Sequence, residues 1–264
     1  MYYVIPSLSR VNTLLNKSLY LLIHTYQVSP QDIYVFVVKE ELADYQNKIL
    51  SLYPDIHICV GPLGLHHMRN HIRLYFPENT KLVCLDDDIQ ELRRMKEDTS
   101  ILDLKSCKRY PLFPLTKAEF HAFIEDAFTT LEQNHLHFFG IYAVRNGYFM
   151  KSLPDISTHL RFCVGAFWGC INQHSESLQL HLEEKEDVER TLRYFLQDKG
   201  VLRFNKICPI TRYYKEKGGM QARNIDRLET SKTACQYLLT TFPEHCKLYT
   251  SKKSGIYEIK LCSN

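Results

Sequence analysis

The chain has 264 residues, 45% hydrophobic and 24% charged, enough to bury the core of one large domain. No window of about 18 apolar residues occurs, which excludes a membrane-spanning helix. Net charge is +3, but from Glu189 onward 15 Lys and Arg face 7 Asp and Glu, leaving 18 against 23 before it.

The first ninety residues alternate between two periodicities. "YYVIPS" (Tyr2–Ser7) is a short apolar run ended by Pro6 and Ser7. "VNTLLNKSLYLLIHTY" places Leu14, Leu15, Ser18, Leu19, Leu22 and Ile23 at helical spacing. "IYVFVV" (Ile33–Val38) is β-branched and aromatic, as a strand buried on both faces must be. "ELADYQNKILSLY" predicts a helix, "IHICV" (Ile56–Val60) a strand, "HHMRNHIRLYF" a helix and "KLVCL" a strand, with a loop at Gly61, Pro62 and Gly64. This order predicts an α/β fold, a Rossmann-like and mostly parallel sheet with right-handed crossovers. Ligands in such sheets bind beyond the C-terminal strand ends, where Ser7, Arg10 and the triplet Asp86, Asp87, Asp88 fall.

The second half is mixed. "TKAEFHAFIEDAFTTLEQN" (Thr116–Asn134) predicts a helix with a Thr116/Glu119 capping box. "FGIYAVRN" predicts a strand, "LRFCVGAFWGCI" a strand broken by Gly165 and Gly169, and "KEDVERTLRYFLQDKG" a helix. "VLRFNKI" predicts a strand and "MQARNIDRLETSKTACQYLLTTF" a long helix, before a C-terminal strand pair or tail. No repeat or linker divides the chain. One continuous domain is expected, with residues 1–90 as a donor-binding half and 91–264 as an acceptor-binding half.

Three adjacent carboxylates repel one another, so a strand end that collects them needs a reason. Side chains alternate along a strand, so Asp86 and Asp88 can share one direction while Asp87 points away. Hard divalent cations take such oxygens, and magnesium uses one or two carboxylates plus substrate phosphates. A solvent-facing turn, or a helix start whose dipole welcomes Asp, is the alternative.

"GLHHMRNHI" puts Gly64, Arg69 and Asn70 ahead of this acidic end. The ordered set "IPSLSR", "GLHHMRNHI", "LDDDI", "FGIYAVRNGYFM", "KEDVERTLRYF", "VLRFN" and "KGGMQ" resembles the TET/JBP-associated glycosyltransferases. That group includes the base J glucosyltransferase and relatives in large DNA viruses and phages. The resemblance covers roughly Tyr3 to Arg223. It implies a GT-A fold and a hexosyltransferase; the anomeric outcome is open, though an apparent base at Glu186 and Asp187 favours inversion. The implied donor is a nucleotide sugar such as UDP-glucose, the metal Mn2+ or Mg2+, and the acceptor a hydroxylated pyrimidine in DNA. By that resemblance Asp88 is the first metal ligand, with Asp86 on the metal or the ribose. Ser7, Arg10, Arg69 and Asn70 are implied around the nucleotide, the last two being otherwise ordinary polar helix residues. Asp187, with Glu186 as alternate, is implied as the base, these acids being otherwise a cap on the helix dipole.

Other stretches are read from their residues. Gly165, Phe167, Trp168 and Gly169 of "GAFWGC" allow close backbone approach and a stacking ring, or are core beside a bulge. Lys215, Lys217, Gly218 and Gly219 of "YYKEKGGMQ" offer charge and backbone N–H groups to a phosphate. Arg203 and Asn205 match the family pattern without an assigned role. His66, His67 and His71 form no metal motif. Nine cysteines, an odd number without a CxxC pair, read as free thiols, with Cys59, Cys84, Cys163 and Cys208 in apolar runs. A reducing compartment, cytoplasmic or nuclear and including that of a virus-infected cell, is expected. The basic final third suits DNA or a diphosphate, or is a solvated surface. Three rivals stand beside this reading: a GT-A enzyme acting on protein or glycan, a nucleotidyltransferase, and a non-catalytic nucleic-acid-binding module.

Overall fold

The structure is a computed structural model that describes residues 1–96, 111–211, 227–251 and 255–262. The first half follows the sequence closely. Strands β1 (Tyr2–Pro6), β2 (Ile33–Val37), β3 (His57–Val60) and β4 (Lys81–Leu85) are parallel neighbours in the order β3-β2-β1-β4. Val4 pairs with Tyr34 on one side and Cys84 on the other. Between the strands run α1 (Val11–Leu14), α2 (Leu42–Tyr45) and α3 (Leu65–Tyr75). Wider turns extend α1 over Leu15–Leu19 and Leu21–Thr25, and α2 over Gln46–Leu50. The residues after the aspartates form a strand, β5 (Glu91–Met95), which removes the alternative of a helix start there.

The sheet continues with strands from the second half. Its full order is β3-β2-β1-β4-β9-β7-β10-β8, with β7 (Phe138–Ile141), β8 (Ile156–Ser157), β9 (Phe167–Ile171) and β10 (Leu202–Phe204). β9 lies antiparallel between β4 and β7, so β7 runs in the same direction as β4. The expected break at Gly169 is instead an unbroken strand centre. A Cβ there would collide with the Phe139 ring and reach 3.0 Å from the Leu82 carbonyl oxygen, so the glycine serves tight packing. "VLRFNKI" is two strands rather than one: β10 ends at Phe204, and β11 (Ile207–Ile210) pairs with β5 in a small sheet with β6 (Leu112–Pro114). Helices α5 (Gly147–Met150), α6 (Glu186–Asp198) and α7 (Arg227–Thr241) and the hairpin β12 (Cys246–Thr250)–β13 (Tyr257–Leu261) complete the chain.

Both faces of the sheet are covered, which explains its continuous apolar strands. Tyr3, Ile5, Val83 and Leu85 face one core with α1 and the helix α4 (Lys117–Gln133); Val4, Leu82 and Cys84 face another with α3 and α6. The α4 capping box forms as expected. The Thr116 hydroxyl accepts from the Glu119 N–H, and the Glu119 carboxylate accepts from the Thr116 N–H at 2.9 Å. The Thr116 backbone bond and Lys96 hold the Glu119 carboxyl down at about 2. Thr116→Ala should cost about 1 kcal/mol in a denaturant titration; no measurable loss would mean the cap leaves α4 stability unchanged. All eight described cysteines are free, and no described helix is long and apolar enough to cross a membrane.

Candidate active site

The three aspartates have three different surroundings. Asp86 leaves β4 with its N–H on the Ala166 carbonyl at 3.0 Å, and its side chain pairs with Arg69 of α3 at 3.1 Å. That side chain remains 39% exposed. Asp87 turns inward. It accepts from the Ser7 hydroxyl at 2.7 Å and from Arg10 at 3.1 Å, while Ser7 and the Arg10 N–H both bond the Tyr45 hydroxyl. Asp88 accepts from the Thr211 hydroxyl at 2.7 Å and lies 3.7 Å from Arg10. The contacts do not follow the expected alternation, because the triplet lies in a turn after β4. Asp87 and Asp88 are both buried and share Arg10, Asp86 alone stays partly exposed on Arg69, and Asp87 anchors the loop after β1.

Burial raises two of these acids, Asp86 and Asp87. The low-dielectric wall around Asp86 disfavours its charge first, and Asp88, Asp87 and Glu186 add repulsion against the pull of Arg69, so its carboxyl is pushed up to about 7. Burial lifts Asp87 to about 6 despite its bonds from Ser7 and Arg10.

The second acidic element is the start of α6. Glu186 is buried and paired with Arg190 at 2.7 Å, one helical turn on. Asp187 is half-buried and accepts from the Gly165 N–H at 3.2 Å. Burial, then the Glu186 charge, pushes its carboxyl up to about 6, against Arg190 and the two N–H groups it accepts from. A Cβ on Gly165 would stand 3.0 Å from a Glu186 oxygen and 3.3 Å from the Asp187 Cβ, so a side chain here would press the loop a few tenths of an ångström off both acids. Gly165 touches Asp187, and the next residue, Ala166, bonds Asp86. Two consecutive residues thus bridge the acidic strand end and the acidic helix start.

Other expected residues are placed elsewhere. Phe167 is 1% exposed and packs on Phe120 and Phe123; Trp168 is 6% exposed, beside Phe138. Both are core side chains, and neither ring offers a face for stacking on a sugar or base. Asn70 is locked to Leu180 by two backbone bonds, at 2.8 and 2.9 Å. Arg203 is buried, donating to Asn205 and to the Phe162 carbonyl, so it is no part of a basic surface. Lys199, Lys232, Lys247 and Lys260 are exposed. Lys215, Lys217, Gly218 and Gly219 lie outside the described residues.

No family model matches the chain, and no curated protein matches it. A solved structure does: a mannosyltransferase from Pyrobaculum calidifontis, PcManGT, in complex with GDP-Man and Mn2+. The TM-score is 0.53 at 11% identity, over 92% of this chain and 64% of that one. The fold is that of a GT-A glycosyltransferase. This chain spans less than two thirds of the matched protein, and the likeness is one of fold.

Within the GT-A fold the donor set can be tested against a divalent cation. No group of three or more His, Cys, Asp or Glu is placed to hold a metal among the described residues. A magnesium-type ion needs only one or two carboxylates when phosphates and waters fill its shell. Asp86 and Asp88 meet that need. Asp86 has one oxygen engaged by Arg69, Asp88 has one on Thr211 and the other 3.7 Å from Arg10, and both are hard donors two positions apart. The residues fit.

Several contributors had weak or no signal in the sequence. Arg190 was readable, four residues after Glu186 on one helix face. Glu183 accepts from the Leu65 N–H at 2.8 Å and lies 3.1 Å from His66, fixing the start of α3. Gly64 precedes that start at φ +110°, a backbone conformation that suits glycine. Tyr45 and Thr211 carry no local pattern; only the fold brings them to the aspartates.

Proposed function

We propose that this chain transfers a hexose, glucose foremost, from a nucleotide diphosphate sugar to the hydroxyl of a hydroxylated pyrimidine in DNA, with inversion. The observation that carries the reading is the Gly165–Ala166 bridge. It sets Asp86 at a parallel strand end beside Asp187 at a helix start. Glycosyl transfer needs these two acidic centres: one toward the leaving diphosphate, one toward the acceptor proton.

Asp88 with Asp86 would hold Mn2+ or Mg2+, which when bound neutralises charge building on the diphosphate. Arg69 positions Asp86, and the Asp87–Ser7–Arg10 anchor positions the loop beside them. Asp187 takes the acceptor proton on its carboxylate, with Glu186 held away by Arg190. The two halves, 1–90 for the donor and 91–264 for the acceptor, share one sheet in this reading. The DNA acceptor rests on the family resemblance and the basic final third. A duplex would have to extrude its base into the cleft.

Labelled sugar should pass to hydroxymethylated DNA, and not to unmodified DNA or protein, with release of nucleoside diphosphate. Transfer to a protein or glycan alone moves the acceptor class. Release of pyrophosphate makes the chain a nucleotidyltransferase. Asp88→Asn should abolish metal-dependent stabilisation by the nucleotide sugar in thermal unfolding. The fold should survive, because an amide oxygen still accepts from Thr211. Unaltered donor affinity in that variant would remove Asp88 from the metal site.

A further inference from the structure

Between the sheet and helices α3 and α6 lies a cavity of about 30 Å3. Its lining includes Arg69, Arg73, Trp168 and Arg190, with Cys84 and Tyr194. Arg69 and Arg190 are 4% and 3% exposed, and both guanidiniums lie against the Trp168 ring, at 5.4 and 4.1 Å from its centroid. Six buried nitrogen atoms in this group have no acceptor: Nε and Nη1 of Arg69, Nε of Arg73, Nε and Nη2 of Arg190, and Nε1 of Trp168. Buried donors without acceptors are costly, about 1–3 kcal/mol each and more when charged.

Charge is also out of balance here. Arg69 is paired with Asp86 and Arg190 with Glu186. Arg73 donates to three neutral oxygens, the carbonyls of Gln173 and Ser175 and the amide oxygen of Gln179. Three guanidiniums therefore surround the cavity with two carboxylates among them. Water can accept hydrogen bonds but brings no charge to offset that of Arg73, which is partly buried at the cavity's edge. The volume admits about two waters or one small ion, and much of the wall is carbon, which excludes a large, strongly hydrated oxyanion.

We propose that this cavity is a binding site for a small monatomic anion of the chloride class. The anion would accept from the unpartnered N–H groups and neutralise the excess guanidinium charge. Its position has a consequence for the cleft. Arg69 and Arg190 reach from the cavity to Asp86 and Glu186, so one ion beneath Trp168 would hold both acidic elements in place. The assignment does not depend on which acceptor receives the sugar.

The test uses the full chain in two measurements. Crystals grown in bromide should show anomalous density in the cavity. Thermal unfolding at constant ionic strength should show a saturable rise in potassium chloride over potassium gluconate, about 3–6 °C at ten times the dissociation constant. Arg73→Gln removes the unpaired charge while keeping a hydrogen-bonding side chain. It should fold in gluconate with near wild-type melting and lose the chloride-dependent rise. A cavity holding only water in bromide crystals, or equal wild-type melting in the two salts, overturns the proposal. So does an undiminished chloride effect in Arg73→Gln.

Discussion

Asp187→Asn should lower sugar transfer by at least about a hundredfold while leaving nucleotide-sugar affinity and fold intact. Loss of a general base costs about a hundred- to ten-thousandfold in rate. The structural cost runs the other way. The Asp187 carboxyl stands above its ordinary value of 3.8, at about 6, so its charged form is disfavoured in the folded protein. A neutral isostere relieves that strain and still accepts one hydrogen bond, so the melting temperature should hold or rise slightly at neutral pH. The sign of the pH dependence follows. The folded state binds the proton more tightly than the unfolded chain, so wild type should gain stability relative to Asp187→Asn as pH falls from about 6 toward 3.8. Transfer should show the opposite trend and rise through about pH 6 as the base ionises. Normal transfer in Asp187→Asn with a large loss in Glu186→Gln would move the base one residue back. Normal transfer in both would leave the helix start as a cap.

The parallel half of the sheet was legible because its physics is local. Strands buried on both faces read as unbroken apolar runs, and "KLVCL" and "IYVFVV" map onto β4 and β2 almost residue for residue. The antiparallel insertion of β9 was not legible. Its place between β4 and β7 depends on pairings such as Cys84 with Trp168, across more than eighty residues of chain. The same limit shaped the reading of "GAFWGC". A Trp between glycines looks like a ligand platform, but here the ring fills the gap between two buried arginines that the sequence does not place side by side.

The aspartate triplet shows the boundary within three residues. That a buried strand ends in an acidic cluster was readable. What Asp87 anchors was not, because Ser7 and Arg10 precede it by 80 and 77 residues. The acidic run "HLEEKEDVER" was harder still. It offers several carboxylates in one stretch, and only tertiary contacts separate a cap for α3, an ion-pair partner, a half-buried acid on the Gly165 N–H and a buried hub.

That hub carries a large expected stability effect. Glu189 is fully buried. One of its oxygens accepts from the His181 and Leu182 N–H groups, each at 2.9 Å, and the other from Arg193 at 2.8 and 2.9 Å. The Tyr237 hydroxyl of α7 reaches the same carboxylate at 3.3 Å. One side chain thus ties α6 to the segment before it and to α7. Glu189→Ala would leave two backbone donors without their acceptor and take the carboxylate from Arg193, which is partly buried and keeps its bond to the Ser177 carbonyl. Breaking a buried ion pair from one side costs about 3–5 kcal/mol, a large share of a total stability of about 5–15 kcal/mol. At roughly 2–4 °C per kcal/mol for a chain of this size, melting should fall by about 10 °C or more. Asp187→Asn, two residues away, should scarcely move it. A Glu189→Ala variant that loses under about 1 kcal/mol in denaturant unfolding would show that its donors find water or other acceptors, and that α6 is held by its apolar face alone.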